Sequence, residues 1–158
     1  MYHNLNLDSE EKSLLKKAIP WITLLIAGAD GTIDDEELEW AKKITSIRSY
    51  NFPEGLSEYY QAVGLDFANE LDAEMKALPE GQEARMTLLN NNLESLNRVL
   101  AKMPNNTAYD YYKSFTTFAE HVAKATGGFM RFFSVSVEEK KLLNLPMIQP
   151  FEYVEEEE

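Results

Sequence analysis

Apolar residues recur at helical spacing along almost the whole chain. Leu14, Leu15, Ala18, Ile19, Ile22, Leu25 and Ile26 fall at intervals of three and four, the period of a helix with one buried face. Asp8 and Glu11 precede this stripe at the spacing of a capping box, in which each side chain bonds the other's backbone amide. Pro20 lies inside the pattern. Because the stripe continues beyond it, the pattern predicts a kinked helix rather than two helices. Leu38, Ala41 and Ile44 mark a second helix. Leu56, Tyr60, Val63, Phe67, Leu71, Met75 and Leu78 mark a third.

The breaks are equally regular. Asn51 to Gly55, Pro79 to Gly81, Pro104 to Asn106 and Gly127-Gly128 carry the Gly, Pro and Asn that end helices. Between them, Leu88, Leu89, Leu93, Leu96, Leu100 and Met103 predict a fourth helix. Tyr109, Tyr112, Phe115, Ala119, Val122 and Ala123 predict a fifth. Ser136 and Glu139 form another capping box and open a brief sixth, Val137 to Leu143. Useful β-alternation is absent. The pattern predicts an all-α, compact single-domain bundle of about six helices. The domain covers residues 1–154, and 155–158 form an acidic, disordered tail. The order of apolar helix, Gly-containing turn, capping box and helix occurs at Ile22 to Ile44 and again at Phe118 to Leu143. This echo suggests a pseudo-twofold pair of helix-turn-helix units, with the turn at Asp30-Gly31 near the helix start at Ser136.

Composition narrows the function classes. The 158 residues include no cysteine, which removes disulfides, thiol nucleophiles and thiolate metal sites. A net charge of −12 argues against nucleic acid and anionic membranes, which require clustered Lys and Arg. The apolar run from Ala18 to Ala29 is too short to span a bilayer, and Met1 to Asp8 lacks the regions of a signal peptide. The chain therefore reads as soluble and cytoplasmic. His-Glu-x-x-His, Gly-x-Ser-x-Gly and phosphate-binding glycine loops are missing. With only two histidines, His3 near the terminus and His121 beside the apolar stripe, the chain reads as non-enzymatic.

The candidate chemistry is concentrated in one stretch. Leu24 to Leu38 runs from an apolar helix end through Ala29-Asp30-Gly31-Thr32 into Asp34-Asp35-Glu36-Glu37. Gly31 suits a turn that needs positive φ. Two readings fit the acids. In the first, Asp34 caps the next helix, Glu37 completes the box, Ile33 and Leu38 form a staple, and Asp35 and Glu36 offset the helix dipole. In the second, Asp30, Gly31, Ile33 and Glu37 match the latter half of an EF-hand loop. Asp30, Asp34 and Glu37 then bind Ca²⁺ or Mg²⁺ weakly, with carbonyls or water completing the shell. Ile26 and Gly28 stand where an EF-hand places its first two ligands, which excludes a regular EF-hand.

Ala29-Asp30-Gly31-Thr32-Ile33-Asp34-Asp35-Glu36-Glu37, followed by Ala125-Thr126-Gly127-Gly128-Phe129 and Ser136-Val137-Glu138-Glu139-Lys140, resembles the TerB-like (tellurite-resistance protein B) family. The resemblance covers the two ends of the chain and not Tyr50 to Asn106. It implies a compact helical domain acting in stress response or defence through protein interaction and divalent-cation binding. Asp30, Asp34 and Glu37 match the family's first acidic motif, and Glu138 and Glu139 form a second acidic cluster. Beside this stands the alternative of a helical protein-interaction module with no metal site. Tyr59 and Tyr111 lie off their predicted stripes and Phe132-Phe133 in a predicted loop. Tyr111, Phe132 and Phe133 are therefore the candidate surface for a protein partner.

Overall fold

The computed structural model describes residues 5–29, 31, 33, 35–52, 55–124 and 142–155. Among them are seven helical segments and no strand. They are α1 (Ser9–Ala27), α2 (Asp35–Arg48), α3 (Ser57–Gly64), α4 (Phe67–Lys76), α5 (Gln82–Glu94), α6 (Leu96–Leu100) and α7 (Asn105–Ala123). None is long and apolar enough to cross a membrane.

α1 is the axis of the fold. Its capping box forms as the sequence requires: Glu11 N–H donates to Asp8 Oδ1 at 2.8 Å, and Asp8 N–H donates to Glu11 Oε1 at 3.0 Å. From Ala18 to Ala27 every residue is buried, Pro20 included. The helix runs on through Pro20. A helix apolar all round needs neighbours all round, and each of the other six helices packs against α1. Thr23, the polar residue in this run, satisfies its hydroxyl by donating to the Ile19 carbonyl at 2.8 Å. Trp21 Nε1 donates to Glu74 at 3.0 Å and ties α1 to α4.

Two predicted helices are divided. The expected third helix, Leu56 to Leu78, breaks at Leu65-Asp66 into α3 and α4. A straight helix of that length would extend roughly 34 Å, past the surface that α1 offers. Turning at Gly64 to Asp66 lets α3 pack on α2 and α4 on α1. The expected fourth helix breaks at Ser95, whose hydroxyl donates to the Asn92 carbonyl and competes with the helix ladder. The predicted sixth helix, the Ser136 capping box and the proximity of Ser136 to the Asp30 turn lie outside the described residues. Residues 125–141 of the second half of the internal echo lie outside them as well.

The C-terminal segment is a packed extension. Asn97 donates to the Met147 carbonyl at 3.0 Å and accepts from Gln149 N–H at 2.9 Å. Asn106 holds Val154 in the same two-way fashion, at 2.7 and 2.9 Å. Tyr153 and Phe151 lie against Tyr109 and Tyr112, with ring centroids 5.8 and 6.4 Å apart. Glu156 to Glu158 lie outside the described residues.

Candidate functional site: the acidic turn and the Arg48 cluster

The turn between α1 and α2 begins at Gly28, where a side chain would meet the Leu24 carbonyl at 3.1 Å and Ile33 at 3.4 Å. Glycine is what allows Ile33 to fold back over the end of α1. Gly31 takes φ +102°, the left-handed conformation expected of it. Of the expected staple, Leu38 joins the core and Ile33, half-buried, packs against it. Asp30 and Asp34 lie outside the described residues. Glu37 is fully buried, at 0 % exposure, in the first turn of α2. Asp35 and Glu36 are exposed on that turn.

What the sequence reading missed is the opposite wall of the turn. α5 approaches it, and Gln82 Nε2 donates to the carbonyls of Gly28 at 2.9 Å and Ala29 at 3.1 Å. Arg85 Nη2 donates to the Gly31 carbonyl at 3.3 Å. Along the chain no basic residue follows Asp30 until Lys42, yet the fold sets a guanidinium directly on the turn. Three carbonyls that a cation would recruit already accept hydrogen bonds. No sequence signal near the turn announces residues more than fifty positions away. Among the described residues, no group of three or more His, Asp or Glu is placed to hold a metal ion.

The aromatic surface needs a correction. Tyr111 is fully buried, as is Tyr59, and their rings meet edge to face with centroids 5.1 Å apart. The expected Phe115, Ala119, Val122 and Ala123 are buried on α7, but in its first half Ala108 and Tyr111 take the places expected of Tyr109 and Tyr112. Both frames have helical spacing. Tyr109 and Tyr112 are half-buried under the C-terminal segment, which leaves Tyr111 to face the core. Glu138, Glu139, Phe132 and Phe133 lie outside the described residues. The exposed aromatics among the described residues are instead Trp40, Tyr50 and Tyr153.

A second polar cluster, also missed, centres on Arg48 at the end of α2. Its side chain is 5 % exposed. Nη1 donates to Tyr60 Oη and to the Ser114 carbonyl, each at 2.8 Å, and Nη2 to Thr117 Oγ1 at 3.0 Å. Phe52, Tyr60 and Phe118 rings surround the guanidinium, with centroids 4.3, 5.2 and 5.6 Å away. Such stacking partly replaces lost hydration. Burial raises the pKa of the Tyr60 phenol, against the opposing pull of Arg48. Partial burial, with Arg48 and Lys124 nearby, lowers the pKa of His121. The available signal was Arg48 itself, a charged residue four positions after Ile44 on the apolar face of α2.

Comparison of the chain with models of protein families, with characterised proteins and with solved structures finds no match.

Proposed function

We propose that this chain is a non-enzymatic, TerB-like helical module that works by protein contact in a cytoplasmic stress-response or defence pathway. The observation that carries this reading is the outer face of α2. Trp40 and Ile47, two turns apart, are 39 % and 44 % exposed, and Tyr50 just beyond the helix is 73 % exposed. Helical spacing places the three along one side of α2 and the turn that follows it. Large apolar side chains exposed in a line, with Lys43 over the Trp40 ring, suit a binding anchor better than solvent. Asp35, Glu36 and Glu39 fringe the start of this face, so the partner surface that fits is apolar with a basic rim. In this reading the acids of the turn serve α2 as caps and dipole partners, and the turn is a joint held by Gln82 and Arg85.

The cation reading, with Asp30, Asp34 and Glu37 around Ca²⁺ or Mg²⁺, is retained as a second proposal because of one buried acceptor beside the turn. Oε1 of the Gln82 amide is buried with no donor among the described residues. An acceptor left in that state calls for water or a cation.

Two measurements separate the readings. Saturating Ca²⁺, at about a hundred times the dissociation constant, adds roughly 2.7 kcal/mol, or roughly 5–11 °C in melting temperature for a domain of this size. Millimolar Ca²⁺ or Mg²⁺ that leaves the melt unmoved, with no Trp40-sensitised terbium emission, removes the cation reading. For the contact reading, wild type and a Trp40→Ser/Ile47→Ser variant are compared as bait. A partner retained by wild type and lost by the variant, at unchanged melting temperature, supports it. Equal retention by both removes it.

A further inference from the structure

Arg48 is a buried cation with no counter-ion among the described residues. No carboxylate among the described residues lies within ion-pair distance of it, although the chain holds 27 acids. Its three hydrogen bonds go to neutral acceptors. A guanidinium has five N–H groups and keeps its charge at every accessible pH. Two of those five therefore meet no acceptor among the described residues. Ring faces recover part of the hydration lost on burial, but a buried charge is ordinarily matched by an opposite one.

Beside it lies a cavity of about 270 Å³ between α7 and the side chains of Phe52 and Leu56, which precede α3. Phe52, Ser114 and Thr117 belong both to the wall of this cavity and to the immediate contacts of Arg48. The guanidinium thus sits one side chain behind that wall. Leu56 and Tyr109 add apolar sides, and Lys113 supplies a second positive charge.

We propose that this cavity binds a small carboxylate with an apolar body, held by Lys113 and Thr117 in the field of Arg48. Charge sets the sign of the ligand. Arg48 stands behind this wall and Lys113 on it, so the group they favour is an anion. Size sets the rest, since the volume falls just below the range of about 300–1,000 Å³ that holds drug-sized ligands. Thr117 is the polar contact. Its oxygen accepts from Arg48, while its proton is shared between the carbonyls of Lys113 and Ser114 at 3.0 and 3.2 Å. Those carbonyls already serve the helix ladder, so the hydroxyl can turn to a ligand at little cost.

The test titrates sodium benzoate into the ¹⁵N-labelled full chain, with benzamide as the neutral isostere. Benzoate is expected to give saturable shifts at Phe52, Ser114 and Thr117 and to bind about tenfold more tightly than benzamide, the margin of one charge-assisted hydrogen bond. Lys113→Met, at an exposed position, should narrow that margin. Arg48→Met should abolish it in a chain whose melt shows that it still folds. If Arg48→Met does not fold, the benzoate-to-benzamide ratio in wild type and Lys113→Met decides alone. Equal affinities for the two compounds, or shifts that map elsewhere or never saturate, overturn the proposal.

Discussion

The side-chain amide of Gln82 lies 2.9 Å from the carbonyl oxygen of Gly28, across 54 positions of sequence. It joins the first turn of α5 to the end of α1 and fixes the exit of the central helix. The acidic turn is therefore held from outside itself, by a neutral amide and by Arg85.

Gln82→Ala should consequently loosen the turn more than it harms the core. Losing two partly buried hydrogen bonds costs about 1–2 kcal/mol, or roughly 2–8 °C in melting temperature. Hydrogen exchange should rise at Gly28, Ala29 and Gly31 while Leu24 and Leu25 remain protected. Uniform loss of protection along α1 would show that the amide supports the whole helix.

Tyr111→Ser tests the corrected placement of that residue. A side chain wholly buried against Tyr59 and Phe115 should cost about 3–5 kcal/mol on truncation, a fall of roughly 6–20 °C. A variant with wild-type melting temperature and altered self-association would return Tyr111 to the surface.

Glu11 and Lys102 predict a pH dependence. Lys102 Nζ lies 2.5 Å from Glu11 Oε2 and, with the Asp8 backbone amide, holds the Glu11 carboxyl below its usual 4.5. The folded state thus binds this proton less readily than the unfolded chain. The stabilisation is fully present above pH 4.5 and is lost as pH falls through the lowered folded value. Carboxyl titration by NMR should give a Glu11 midpoint below 4.5, moved upward by Lys102→Met. Glu11→Gln should flatten the acid limb of the stability curve. A midpoint unmoved by Lys102→Met would show that the ion pair does not form in solution.

Local chemistry was sufficient wherever neighbours in sequence are also neighbours in space. The Asp8–Glu11 box, the positive φ of Gly31 and the buried stripe of α1 follow from capping, glycine sterics and helical period, interactions that span at most a few turns. The all-α class follows for the same reason. Tertiary structure decided the rest. Helical spacing is equally satisfied by Tyr109–Tyr112 and by Ala108–Tyr111, and only the C-terminal segment settling over Tyr109 and Tyr112 chose between them. The corner at Leu65-Asp66 lets α3 pack on α2 and α4 on α1, a choice no period encodes. Arg85 reached the acidic turn, and Arg48 the Ser114 carbonyl and the Phe118 ring of α7, through contacts between positions that are remote along the chain. Electrostatic and hydrogen-bond partners of that kind act through space, so the sequence supplied the charges and the packing of helices around α1 assigned their neighbours.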